Sequence, residues 1–221
     1  MTCKITKNFL TLRRHKRQTP EIIYDVGQRI RLVYGRTNLR DLSISNGRLV
    51  IKLSASIPTA FGTTNLHPTT RWCIEMLEKY LQDGKVLDVG TGAGILAIAA
   101  FKLKPKNQVF AFDIYQDAIK QAKINFRLNG LEKHIELKQA KLNDYPINSY
   151  STIIANLPPI AISELLSNLI DRLAIDGNII ISGILKHNFI DIERKLISRN
   201  LKIIDKVITD LWCLVVAEKC F

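Results

Sequence analysis

Between Lys85 and Lys219 the chain alternates short apolar runs with stretches whose apolar residues recur every three to four positions. Residues 86–89, 109–112, 135–137, 151–155 and 178–182 read as strands. Helices are expected over 95–103, over 117–128 with a stop at Asn129-Gly130, after 155 with Ile162, Leu165, Leu166, Leu169, Ile170 and Leu173 on one face, and over 191–198. Strands alternating with helices predict an α/β fold built on a doubly wound parallel sheet. The last two apolar runs, through Ile203-Ile204 and Leu214–Val216, stand too close together for a crossover helix, so they predict an antiparallel hairpin on one edge.

Upstream the pattern changes. Residues 42–45 and 48–53 flank Asn46-Gly47, whose tolerance of positive φ makes the pair a strong hairpin signal. A Thr- and Gly-containing loop follows over 60–66, and Pro68 then opens a helix carrying Trp72, Met76, Leu77 and Tyr80 that should stop near Gly84.

Composition narrows the class. The 221 residues are 47% hydrophobic and 24% charged, a globular profile. The longest charge-free apolar stretch, Val89 to Phe101, is shorter than the roughly 20 residues a membrane span needs, so no membrane partner is expected. Cys3, Cys73, Cys213 and Cys220 form no C-x-x-C pair. No metal site or disulfide framework is expected, and a reducing, cytoplasmic setting is. The net charge of +12 is uneven: residues 1–57 hold 12 Lys/Arg against 3 Asp/Glu, leaving 20 against 17 for residues 58–221. The basic excess at the front suits an acidic protein surface or a phosphate backbone.

The sharpest motif is Asp88-Val89-Gly90-Thr91-Gly92-Ala93-Gly94, between the first strand of the alternating region and its helix. A dinucleotide fingerprint would need glycine where Ile95 stands, and a P-loop would need Gly-Lys-Ser/Thr; neither is present. The remaining reading is a D-x-G-x-G-x-G loop that holds the methionyl part of S-adenosylmethionine, a ligand with no phosphate to seat on a helix N-terminus. Asp113 ends the second strand 19 residues after Gly94, where a carboxylate can accept both ribose hydroxyls. Asn156-Leu157-Pro158-Pro159 ends the fourth strand and so shares a rim with Gly90 and Asp113. The Asn carboxamide offers a donor and an acceptor, and the two prolines hold the backbone extended with its carbonyls free for an amine.

Three stretches read together: Ala60-Phe61-Gly62 with His67-Pro68-Thr69-Thr70, the loop from Leu87 to Ala100, and Ser182-Gly183-Ile184-Leu185. Over residues 58–221 this resembles the methyltransferases that modify the stalk protein of the large ribosomal subunit, the PrmA type. The resemblance implies a Rossmann-like, seven-stranded class I methyltransferase sheet with S-adenosylmethionine as cofactor. It also implies cofactor contacts at Thr70, Asp88, Gly90, Gly92, Gly94, Asp113 and Asn156, with Asn156 acting in catalysis. The chain departs from that family in four places. Thr63-Thr64-Asn65-Leu66 precedes His67 where the family has a shorter, glycine-containing link. Asn156 is followed by Leu-Pro-Pro instead of Ile-Leu-Ala or Leu-Tyr-Ala. No acid stands where the adenine amino group is received near Ala140-Lys141-Leu142, leaving Asn143 or Asp144 to substitute. The 57 residues ahead of the cofactor domain are far fewer than the family's substrate-recognition domain.

The expected division is therefore a basic extension over 1–57, carrying a β-hairpin and serving as recognition segment or lid, and a cofactor-binding catalytic domain over 58–221. Ile22, Ile23, Tyr24, Leu32, Val33 and Tyr34 could face a pocket from that lid. The leading acceptor is an amino group of an acidic protein or peptide. An RNA adenine amine and a small biosynthetic molecule stay open as alternatives, although Pro159 stands where a base-stacking aromatic would. His67 is read as a helix cap ahead of a general base, and His15, His134 and His187 as surface or local polar residues. Oligomeric state leaves no signature.

Overall fold

The computed structural model describes residues 22–35, 47–54 and 66–220. The basic first twenty residues, the arm 42–45 with Asn46, and Ala60-Phe61-Gly62 lie outside them. Three short strands come first: β1 (Ile22–Val26), β2 (Ile30–Tyr34) and β3 (Leu49–Leu53). They are followed by α1 (Pro68–Tyr80), β4 (Lys85–Val89), α2 (Ile95–Leu103), β5 (Gln108–Asp113), α3 (Gln116–Leu128) and β6 (Ile135–Gln139). The chain continues through β7 (Tyr150–Asn156), α4 (Pro159–Arg172), β8 (Leu173–Leu185), α5 (Phe189–Ser198), β9 (Leu201–Ile208) and β10 (Trp212–Lys219).

The expected seven-stranded sheet is present, in the order β6-β5-β4-β7-β8-β10-β9. Its first five strands run parallel, and β10 enters antiparallel between β8 and β9, so the closing hairpin forms one edge. The strand expected at 178–182 is longer, because β8 begins at Leu173. Asp176 at φ +59 and a register shift opposite Tyr150 break the apolar alternation there, which conceals the first part of β8 from pattern reading. Helices cover both faces: α1, α2 and α3 close one core with Val86, Ala111, Ile154 and Ile180, and α4 and α5 close the other with Leu87, Phe112, Ile153 and Ile181. The carboxyl ends of β4, β5, β7 and β8 open on one rim, where an open α/β sheet receives ligands.

Among the described residues the N-terminal hairpin lies ahead of the one expected at Asn46-Gly47, whose first arm, 42–45, is outside them. Residues 48–53 do supply a strand, but β3 pairs parallel with β2, and the observed hairpin is β1 with β2. A tertiary contact that local turn propensity does not reveal holds the β1–β2 turn. The Glu78 carboxylate on α1 accepts the Gln28 and Arg29 amides at 2.7 and 2.8 Å and so caps the hairpin turn. The apolar residues of this segment divide: Leu32 and Val33 are buried, Tyr24 and Tyr34 are half-buried and meet edge-on at 6.0 Å, and Ile23 is exposed.

Val26, Ile30, Leu32, Ile51 and Leu53 share one core with Cys73, Ile74 and Leu77 of α1 and with α2. The small sheet thus roofs the helices on the side away from the large sheet. That explains α2, whose sequence is apolar all round: Leu96 through Ala100 are buried because both sides of the helix are covered. Cys73, Cys213 and Cys220 are free thiols, and no helix of the described residues is long and apolar enough to cross a membrane.

Glu78→Ala leaves two backbone donors of the hairpin turn without their acceptor. A loss of about 1–3 kcal/mol is expected, read as a lower melting temperature in calorimetry. An unchanged melting point would mean that the turn closes without Glu78.

Candidate functional site

The loop after β4 is built from below by Asp88. Its carboxylate is buried, and one oxygen accepts both the Thr91 hydroxyl at 2.6 Å and the Ala97 amide at 3.0 Å. Strand, loop and first turn of α2 are thereby held by a single atom. Burial, opposed by those two hydrogen bonds and reinforced by the nearby Asp113 charge, pushes the Asp88 carboxyl up to about 6. Asp88 therefore acts by shaping the loop from beneath. The Thr91 amide donates to Phe112 O at 2.9 Å and the Gly94 amide to Thr91 O at 2.8 Å, which completes the turn.

All three loop glycines have positive φ, +66, +54 and +79 for Gly90, Gly92 and Gly94, yet their missing side chains leave room for different things. A Cβ on Gly94 would meet Phe126 and Ala122 of α3, and one on Gly90 would meet the Leu157 side chain. At Gly92 nothing among the described residues lies within 4 Å, so this is the glycine past which a ligand can approach the backbone.

Asp113, 7% exposed, faces that glycine: its two oxygens accept the Gly92 amide and the Tyr115 amide, each at 3.0 Å. A carboxylate has about four lone-pair positions, so acceptor capacity for further donors remains. Across the rim the Asn156 carboxamide donates to Thr70 Oγ1 at 3.2 Å, joining the end of β7 to the start of α1. His67 caps that helix as expected: Nδ1 accepts the Thr69 amide at 3.3 Å, and the ring packs edge-on against Trp212 at 5.6 Å. Burial holds the His67 pKa below its usual value and so favours the neutral, accepting ring. The geometry thus brings Gly92 beside Asp113 and Thr70 beside Asn156, on a rim shared with Gly90.

The two stand-ins for the missing acid after β6 are each engaged in a local contact, with acceptor capacity left on the exposed Asp144. Asp144 Oδ2 accepts the Lys141 amide at 2.8 Å, and Asn143 Oδ1 accepts from the buried Arg172 guanidinium at 3.2 Å. Ile114 and Tyr115, 54% and 69% exposed, instead place a bare apolar pair immediately after Asp113.

One residue escaped sequence reasoning. Asn125 is buried in α3; its Nδ2 donates to Ala93 O in the loop at 2.8 Å and its Oδ1 accepts the Ser54 amide just after β3 at 2.9 Å. Asn129 one turn later bonds Lys52 in both directions, at 2.8 and 3.0 Å. The available signal was two Asn four residues apart on the inward face of an amphipathic helix.

A family profile described as "Ribosomal protein L11 methyltransferase (PrmA)" matches residues 24–220. A ribosomal protein L11 methyltransferase of Brevibacillus brevis is 37% identical over 161 residues, 72% of this chain and 51% of that protein. One from Dictyoglomus turgidum is 40% identical over 172 residues, 77% of this chain and 56% of its own. The chain spans about half the length of these relatives. Among solved structures, the ribosomal protein L11 methylase of Lactobacillus delbrueckii subsp. bulgaricus aligns with TM-score 0.75 and 27% identity, over 90% of this chain and 98% of that one. P. horikoshii TYW2 in complex with MeSAdo shares the fold, with TM-score 0.58 and 14% identity over 90% of each chain.

Because the Asp88 carboxyl is raised above its unfolded value near 3.8, the folded protein binds that proton more tightly, and stability falls as pH rises from about 4 through about 6. Asp88→Asn keeps an oxygen for Thr91 and Ala97 and cannot ionise. Its stability relative to the parent is expected to rise by about 1–3 kcal/mol between pH 4.5 and pH 7.5. Thermal melts at the two pH values check this; a constant difference would show that Asp88 is not held out of water.

Proposed function

Since the chain belongs to the ribosomal protein L11 methyltransferase (PrmA) family, we propose that it binds S-adenosylmethionine on the rim described above and methylates an amino group of a protein acceptor. The observation that carries the reading is the pairing of the open side of Gly92 with the Asp113 carboxylate at 3.0 Å. A cradle with no described side chain above it and an acceptor group beside it fits a ligand with a compact amino-acid end and a ribose. In this reading Asp113 accepts the ribose hydroxyls, and Ile114 with Tyr115 gives the adenine an apolar face in place of an acid after β6. Gly90, Gly92 and Gly94 carry the loop, Asp88 shapes it, and Thr70 with Asn156 closes the methionyl end.

When bound on the glycine loop and Asp113, the cofactor would supply an electrophilic methyl group on a positive sulfur for transfer to the acceptor nitrogen, whose proton would pass to water. The protein's work is orientation in a dry site. An acceptor amine must arrive neutral, and removal from water lowers its pKa in that direction. None of the described hydrogen bonds ends on the Leu157 carbonyl. That oxygen and the Asn156 side chain are the groups that would aim the amine's lone pair. Pro159 is the first residue of α4, so no aromatic follows Asn156-Leu157-Pro158 to stack on a base, which favours a protein over an RNA acceptor.

The acceptor we propose is ribosomal protein L11, the substrate in the names of the relatives, met through an acidic surface by the basic excess of residues 1–57. Residues 58–221 would then hold the cofactor. This is a division of roles, since β1–β3 and the helices share a core.

Incubation with labelled S-adenosylmethionine and purified L11 tests the assignment, and label that stays off L11 and off a total ribosomal-protein fraction would reject it. Charged hydrogen bonds contribute about 1.5–3 kcal/mol, so Asp113→Ala should weaken S-adenosylhomocysteine binding about ten- to a hundredfold in calorimetry. Asn156→Ala should melt near the parent while losing most of its turnover. If activity instead follows only the folded fraction, Asn156 is a connector.

A further inference from the structure

Leu157 lies against two glycines that belong to different strands. A Cβ on Gly183, just inside the carboxyl end of β8 at φ +86, would run into the Leu157 carbonyl oxygen and carbon. A Cβ on Gly90, in the loop after β4, would run into the Leu157 side-chain methyl Cδ2. The Leu157 amide meanwhile donates to Ser182 O at 3.3 Å. The backbone of this residue is thus pressed onto β8 and its side chain onto the cofactor loop, while Asn156 beside it is tied to Thr70 at 3.2 Å. Pro158, at φ −56, restricts the backbone on the other side.

We propose that Leu157 is a positioning residue that sets the spacing between the glycine loop and the acceptor-orienting carbonyl. This deepens the methyltransferase reading and rests on it. The physical basis is that neither neighbour can give way locally. Gly183 and Gly90 present bare backbone, which is far stiffer than a side chain, so a change of a few tenths of an ångström at either one passes through Leu157 to the other. Small misplacements of reacting groups weigh heavily on rate and lightly on binding. The role assigned to Gly183 is therefore steric: it lets the Leu157 carbonyl lie where an amine can reach it. The side chain of Leu157 fills the volume that Gly90 leaves, so the loop cannot collapse toward β7 and alter that distance.

The test uses the full chain with Leu157→Ala, Gly183→Ala and the double variant. Melting temperature, S-adenosylhomocysteine affinity, kcat and KM for L11, and the 13C line of bound [methyl-13C]-S-adenosylmethionine are measured for each. Both single variants are expected to keep cofactor-product affinity within about threefold and KM within about threefold, while kcat falls at least tenfold and the methyl line moves. The double variant should be no slower than the slower single one, because both changes act through one position. Unchanged kcat, a loss that follows the folded fraction, or multiplied losses in the double variant would overturn the role. If the parent binds cofactor and leaves L11 unmethylated, the acceptor assignment fails, and the methyl line alone decides. A line at the parent position in both variants would then reject the proposal, and a displaced one would sustain it.

Discussion

One buried oxygen organises the rim at the carboxyl ends of the parallel strands. Asp88 Oδ2 accepts from a loop hydroxyl and from a helix amide at once, so the carboxyl end of β4, the glycine turn and the start of α2 cannot move independently. Burying a carboxylate is unfavourable unless its hydrogen bonds are satisfied, and here the penalty is visible in a pKa raised to about 6. That penalty is the consequence of making the loop rigid from the inside, which leaves its outer side free for Gly92 and Asp113. The rest of the rim is arranged around this fixed point: Asn125 ties the loop to the end of β3, and Leu157 ties it to β7 and β8.

The large sheet was legible because its signals are local. Apolar runs of four to five residues, each followed by an amphipathic helix, predict the parallel order, and the closely spaced final runs predict the antiparallel edge. The glycine loop, Asp113 and Asn156 were legible by spacing. Three things were not. The closing of the β1–β2 turn relies on a carboxylate about fifty residues away, on α1. The extra length of β8 is masked by a left-handed Asp176. The different tasks of the three loop glycines depend on which neighbour occupies the space of the missing Cβ, and spacing carries no information about that neighbour.

The small sheet also changes the meaning of the apolar stretch from Val89 to Phe101. Read alone, it is a buried strand end, a turn and a helix with no polar face. In the fold it is the filling between two sheets, with β4 and β5 on one side and β3 on the other. Residues ahead of the glycine loop are thus part of what keeps α2 dry, and α2 in turn presents its first turn to Asp88. Stability of the front segment and order in the loop are two readings of one core.

Helix α1 can also be regarded as a ruler. Thr70 near its start meets Asn156, and Glu78 two turns later grips the β1–β2 turn. Eight residues at 1.5 Å each separate the two grips by about 12 Å. The spacing between the hairpin turn and the rim is thus fixed by the length of one rigid rod.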